Sequence, residues 1–332
     1  MFTAHNNLKI ILNDLSNAKG LTLCGLLRNE AYFLDAFLDH YRRLGVERFI
    51  FVDDRSDDGT REMLFEQADV MVLESPDRFA TVIEGNGRTP LADMRSNIIW
   101  RNIPMSRFCY DTWAVMVDLD EFIALPPGAV LQDVAALADK DQARSVLGVM
   151  LGVYPPDTSA LKAPGPFVVD DAWFFDRRQH LEVQANGSAT VNYAGARVRL
   201  FVDHGVRKLT KAQQLRRLFE PSWLPVGNWN HKQVLLKWGQ NQLFLNSHLT
   251  TEAANPGMLL PIRHYKFNAD LFRRTQTALK DRTYAGNSIE YEAIARLLDR
   301  LDRTNTRFTF RHSMSAENFD AFADSRNAVL DF

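Results

Sequence analysis

Short apolar runs alternate with amphipathic stretches through the first half of the chain. Residues 21–27, 48–52, 70–73, 113–117 and 146–153 are β-rich apolar runs of strand length, while 31–43, 61–67, 91–102 and 130–139 carry apolar residues three and four apart. The helical repeat is clearest in 31–43, where Phe33, Leu34, Phe37, Leu38 and Tyr41 share one face and predict a helix packed on a core. Strands alternating with helices imply an α/β fold with a mostly parallel, doubly wound sheet.

The texture changes after Tyr154. Pro155-Pro156 and Pro164-Gly165-Pro166 punctuate a loop, followed by Trp173-Phe174-Phe175 and the glycine-containing stretches Asn186-Gly187-Ser188 and Ala194-Gly195-Ala196. Irregular strands and loops are expected here. Residues 195–201 alternate, which predicts a strand with Arg197 and Arg199 on one face, suited to a phosphate or carboxylate or else to a solvated edge. Residues 269–282 and 289–303 read as a helical tail. With no internal repeat and no low-complexity linker, one compact unit is expected, divided into 19–125, 126–268 and a C-terminal extension 269–332.

Composition narrows the classes. The 332 residues are 46% hydrophobic with a formal net charge of -2, which suits a globular core and gives no electrostatic case for nucleic acid. The two cysteines, Cys24 and Cys109, form no disulfide framework and read as core thiols. The first residues lack a basic region followed by an apolar one, and no apolar run approaches the ~18 residues of a membrane helix. A cytoplasmic protein is expected. Peripheral attachment to the inner face of a membrane would suit a lipid-linked acceptor, although no strongly basic amphipathic segment stands out in its favour.

Two of the apolar runs end in carboxylates. The run 113–117 leads into Asp118-Leu119-Asp120-Glu121-Phe122, and alternation along a strand would point Asp118 and Asp120 at one divalent cation able to hold a diphosphate. The run 48–52 leads into Asp53-Asp54-Arg55-Ser56-Asp57-Asp58-Gly59-Thr60, a strand, turn and helix start with Asp57 or Asp58 as cap. Turn chemistry accounts for 56–60 and leaves Asp53 and Asp54 where open α/β sheets bind ligands.

Together with Leu26-Leu27-Arg28-Asn29-Glu30 after the first run, these segments resemble, in order and approximate spacing, the family 2-like glycosyltransferases with an Arg-Asn-Glu start and an Asp-x-Asp-Glu-Phe metal motif. The resemblance is close through residue 125 and thin beyond it. It implies a GT-A-like fold and a metal-dependent glycosyltransferase moving sugar from a nucleoside-diphosphate sugar, UDP-sugars being favoured, to a saccharide or lipid-linked acceptor. It further implies that Asp118 and Asp120 hold Mn2+ or Mg2+, with His264 completing the shell from a C-terminal segment that folds back, and His248 as competitor. Arg28, Glu30, Asp53, Asp54 and Arg95 would line the nucleotide pocket. For an inverting reaction the general base would be Asp176 or Asp171, with Asp170 as rival, although a carboxylate beside Arg177 and Arg178 is commonly a surface ion pair.

Other classes fit less well. A haloacid-dehalogenase-like phosphatase places its Asp-x-Asp near the N-terminus with a different continuation. A nucleotidyltransferase shares the sheet and metal logic but shows a glycine-rich loop after its first strand, which Arg28-Asn29-Glu30 lacks. A catalytically inactive nucleotide-sugar-binding protein is disfavoured by intact carboxylates after the second and fourth strands and at Glu30.

Overall fold

The computed structural model describes residues 7–84, 93–162, 165–169, 173–176, 181–191, 195–220, 223–225, 231–282, 285–302 and 307–316. Nine strands form the main sheet: β1 (Lys9–Leu12), β2 (Thr22–Leu27), β3 (Arg48–Asp53), β4 (Val70–Glu74), β5 (Trp113–Met116), β6 (Glu121–Ile123), β7 (Ser145–Gly152), β8 (His231–Lys237) and β9 (Leu259–His264). Their order across the sheet is β1-β4-β3-β2-β5-β8-β7-β9-β6. Strands β2, β3, β4, β5, β7 and β9 run one way, and β1, β6 and β8 the other. The helices are α1 (Leu34–Arg43), α2 (Thr60–Phe65), α3 (Ser96–Phe108), α4 (Leu131–Lys140), α5 (Ala196–Asp203), α6 (Lys211–Phe219), α7 (Leu271–Asp281) and α8 (Ala285–Asp302). This α/β architecture, with six of the nine strands running one way and helices on both faces, agrees with the expected mostly parallel, doubly wound sheet.

The sheet is covered on both faces, and the sequence shows why. Phe49, Phe51, Val70, Val72, Val115 and Val117 pack with α1 and α4 on one side, while Ile50, Val52, Met71, Leu73, Ala114 and Met116 pack with α3 on the other. Strands buried on two faces need apolar residues at every position, hence the continuous runs. On α1, Leu34, Phe37, Leu38 and Tyr41 are buried as their spacing requires, each burial stabilising by roughly 1.5–3 kcal/mol. Helix α1 also fixes the turn that carries the acidic motif. The Tyr41 hydroxyl donates to the Glu121 carbonyl at 2.8 Å and accepts the Ile123 N–H at 3.2 Å.

Two expectations change. Residues 196–203 are helix α5, not a strand: Ala196 and Leu200 are buried at helical spacing, and so short an alternation does not separate the two periods. Arg197 and Arg199 accordingly do not act together. Arg197 pairs with Glu290, whereas Arg199 is buried against Asp176. Helix α3 starts at Ser96 and runs through Pro104 to Phe108, beyond the expected 91–102, with Met105 and Phe108 buried past the proline. Among the described residues, no helix is long and apolar enough to cross a membrane.

Candidate active site

A cleft lies at the carboxyl ends of β2, β3 and β5, where Arg28, Asp54 and Asp118 leave the sheet, with α7 across its mouth. Its walls carry Arg28, Glu30, Asp54, Arg101, Asp118 and Asp120, joined by Lys266, Arg273, Arg274 and Asp281 from the C-terminal part of the chain.

The Arg28-Asn29-Glu30 loop is shaped by the second acidic motif. Asn29, at a left-handed φ of 59°, donates its N–H to the Ser56 hydroxyl at 2.9 Å, and the Glu30 N–H donates to the Thr60 hydroxyl at 2.8 Å. Asp53 accepts the Ser56 N–H and hydroxyl at 3.1 and 2.6 Å and the Arg61 Nε at 2.8 Å, so its carboxylate builds the turn and does not line the cleft. Asp57 accepts from the Asn29 amide, Asp58 accepts the Thr60 N–H at 3.1 Å, and Gly59, at φ 95°, is the N-cap residue of α2. Asp54 does face the cleft. It accepts the Phe79 N–H at 3.2 Å and pairs with Arg78 at 3.1 Å, and burial pushes its carboxyl up.

Asp118 and Asp120 do not lie on a strand. β5 ends at Met116, and the Glu121 N–H donates to the Asp118 carbonyl at 3.0 Å, closing a tight turn that sends the two carboxylates to different partners. Asp118, 41% exposed, is held by Arg101 at 2.9 Å and by Lys232 at 3.1 Å. Burial would raise its carboxyl, but Lys232 and Arg101 outweigh it and hold it at about 2. Lys232, on β8, also donates to Glu121 at 2.8 Å, and Glu121 accepts the Asp118 N–H at 2.9 Å. The lysine is fully buried, so an internal cation occupies the side of the turn where alternation had pointed a metal.

Asp120 faces the C-terminal part of the chain. Its Oδ2 lies 3.5 Å from His264 Nε2. Burial acts to raise its carboxyl, yet His264, Lys266 and Arg274 hold it well below the ordinary carboxylate range. His264, on β9, is in register with Glu121 of β6, which sets its ring beside Asp120. A carboxylate oxygen and an imidazole nitrogen at this separation can touch one ion, since ligand bonds of ~2.0–2.2 Å at an open angle span about that gap. Among the described residues, no group of three or more His, Cys, Asp or Glu side chains is placed to hold a metal. The protein would supply one carboxylate oxygen and one imidazole nitrogen and leave the rest of the shell to substrate oxygens and water.

The bases opposite are poised for anions. Lys266 Nζ is 3.4 Å from the Tyr291 hydroxyl and 5.3 Å above its ring; burial would lower its pKa, but Tyr291 and Asp120 carry it above the ordinary lysine value. Arg274 donates to Asp270 at 2.9 Å and pairs with Glu30, whose carboxyl burial pushes up to about 7 despite that guanidinium. Arg28 bonds Asp281 at 2.7 Å, and Arg273 donates to the Asn29 carbonyl at 2.8 Å. Three polar contacts thus strap α7 to the loop after β2.

The remaining expected residues lie elsewhere. Asp176 is buried, accepts both Nε and Nη2 of Arg199 at 3.1 and 3.2 Å and the Tyr154 hydroxyl, and does not line the cleft. Asp171 and its rival Asp170 fall outside the described residues. Arg95 is exposed, 3.4 Å from the Ala80 carbonyl, and His248 turns Nδ1 to the His231 carbonyl at 2.9 Å, its pKa lowered to about 4 by burial and by Lys232. Sequence reasoning missed Arg101, Lys232, Lys266, Arg273 and Arg274. The available signals were Lys232, two residues before Val234-Leu235-Leu236, and Lys266, two residues after His264.

No protein-family model matches the chain. A glycosyltransferase family 92 protein of Oryza sativa subsp. japonica is 27% identical over 117 residues, which are 35% of this chain and 18% of that protein. The chain is similar to a glycosyltransferase. It spans less than a fifth of that relative's length, and the likeness is to family 92, not to the family 2 group that the three motifs resemble. A UTP-bound UGPase from Acinetobacter baumannii aligns over 92% of this chain and 91% of its own at 10% identity, with a TM-score of 0.29 that is too low to carry an argument.

Proposed function

We propose that this protein is a glycosyltransferase that binds a nucleoside-diphosphate sugar in the cleft after β2, β3 and β5 and transfers the sugar to a saccharide or lipid-linked acceptor. The observation that carries the reading is that Asp120, which lines the cleft with Lys266 and Arg274, meets His264 behind it at 3.5 Å, at the sheet end where open α/β folds take nucleotides. The family 92 likeness supports the same class.

Transfer leaves a diphosphate with growing negative charge. Lys266 and Arg274 sit where they can take that charge, in a partly buried setting that strengthens their attraction. Asp120 and His264 would hold Mn2+ or Mg2+, the imidazole favouring manganese, and the ion when bound would act as a Lewis acid on the diphosphate. Asp118, neutralised by Arg101 and Lys232, keeps its acceptor lone pairs for sugar or ribose hydroxyls rather than for the ion. Asp54 offers the same to the nucleoside. The cleft holds about 180 Å3, below the ~300 Å3 of typical small-molecule sites, so a whole donor would fit only with α7 displaced outward.

A panel of UDP-, GDP- and ADP-sugars, assayed for hydrolysis and transfer with Mn2+, Mg2+ or chelator, tests the proposal. Metal-stimulated release of nucleoside diphosphate from one donor is expected. Release of pyrophosphate from a nucleoside triphosphate and a sugar phosphate, with no diphosphate release, would assign a nucleotidyltransferase instead.

A further inference from the structure

Helix α6 is mounted the wrong way round for a helix that serves a core. Its side chains Leu215, Leu218 and Phe219, at spacings of three and four, are 57%, 76% and 81% exposed, and no residue of the helix is buried. The half-buried positions are the polar Gln213 and Arg217 on the opposite side, and Arg217 ties the helix to Asp203 of α5 at 3.0 Å. An amphipathic helix ordinarily turns its apolar stripe inward. Here the polar stripe faces the protein and the apolar one faces out.

Local sequence builds this helix without help from burial. Thr210 accepts the Gln213 N–H at 3.3 Å, and Gln213 accepts the Thr210 N–H at 2.9 Å, a reciprocal cap. Between residues 204 and 224 the bases Arg207, Lys208, Lys211, Arg216 and Arg217 stand against Glu220 alone, in a chain whose net charge is -2, and Lys208, Lys211 and Arg216 among them are exposed. Trp223 follows, half-buried, with the Arg216 guanidinium 4.5 Å from its ring centroid.

We propose that α6 is a membrane-surface helix that lays Leu215, Leu218 and Phe219 into the headgroup boundary of an anionic phospholipid bilayer, with Lys208, Lys211 and Arg216 on the lipid phosphates. Protruding apolar side chains ringed by flexible cations match an interfacial helix, which buries a shallow stripe while its bases reach the surface. The proposal is independent of the transfer reading. The sequence pattern does not single this segment out, because it is short and its apolar residues are interleaved with glutamines and arginines.

The full-length protein is co-sedimented with phosphatidylglycerol–phosphatidylcholine vesicles and with phosphatidylcholine vesicles at low and high salt. Binding to the anionic vesicles is expected to exceed that to neutral ones by at least about tenfold and to weaken as salt screens the charges. The double variant Leu218→Ser/Phe219→Ser should lose at least about tenfold in partitioning with an unchanged melting temperature, because both side chains are already in water. Lys211→Glu/Arg216→Glu should lose it too. The proposal is overturned if the wild type ignores anionic vesicles at low salt, or if the serine variant binds as well. A dimer in light scattering that the serine variant abolishes, with no vesicle binding, would overturn it in favour of a contact between copies.

Discussion

Glu30 makes the cleft's electrostatics measurable in the protein alone. Its side chain is 13% exposed, and burial, helped by Asp120 and Asp270, moves the carboxyl from 4.5 to about 7, against the pull of Arg274. The folded state therefore favours protonated Glu30. Linkage gives the sign: between pH 4.5 and about 7 the native protein binds more protons than the unfolded chain, so the group's contribution to stability falls as pH rises. At about 1.4 kcal/mol per pH unit across that window, the loss is about 3 kcal/mol. Glu30→Gln keeps the shape and cannot ionise. Urea unfolding of both proteins across this range should show the wild type losing about 3 kcal/mol relative to the variant between the two limits and nothing more above them. A flat difference, or a wild type that gains as pH rises, would mean that the Arg274 pair outweighs burial and that Glu30 is ionised throughout.

Other outcomes follow from the same contacts. Lys232→Met leaves Glu121 buried without its ammonium and should cost about 3 kcal/mol at neutral pH in chemical denaturation, with part of the loss recovered on acidification as Glu121, already pushed up by burial, takes a proton. Lys266→Ala should weaken nucleoside diphosphate binding by about 1.5–3 kcal/mol, read by calorimetry, and leave the melting temperature near that of the wild type. His264→Ala should cost more in metal-stimulated turnover than in stability, and equal turnover with metal still required would remove His264 from the site. Hydrogen exchange in α7 should change on adding nucleotide with Mn2+, because the Arg28–Asp281 and Arg274–Glu30 straps span the cleft mouth.

Much of the first half was legible in sequence because its signals are long and agree with one another. Strands β2 and β3 carry no charged residue between their ends and the α1 stripe runs unbroken from Phe33 to Tyr41, so period and length both identify the element. The acidic motifs located the cleft but not the division of labour within it. Asp53 and Asp54 are neighbours on the chain, and only the turn decides that Asp53 binds Ser56 and Arg61 while Asp54 faces the cleft. Asp118 and Asp120 separate for the same reason, since the chain turns before strand alternation can act. Lys232 reaches Asp118 from β8, and Arg274 reaches Glu30 from α7. Such pairings depend on the sheet order, which local pattern does not encode. Asp176 shows the converse, an acidic residue beside aromatics whose partner, Arg199, lies on a helix read as a strand.

In the proposed complex a nucleoside diphosphate lies on Lys266 and Arg274, with a divalent ion at Asp120 and His264. The direct measurement is calorimetric titration of UDP, GDP and ADP into the wild type and into Asp120→Asn, each with Mn2+ and with chelator. One nucleotide should bind the wild type, more tightly with Mn2+, and Asp120→Asn should remove the metal's contribution while the fold is kept. Absence of binding by all three, or an equal gain from Mn2+ in the variant, would contradict it.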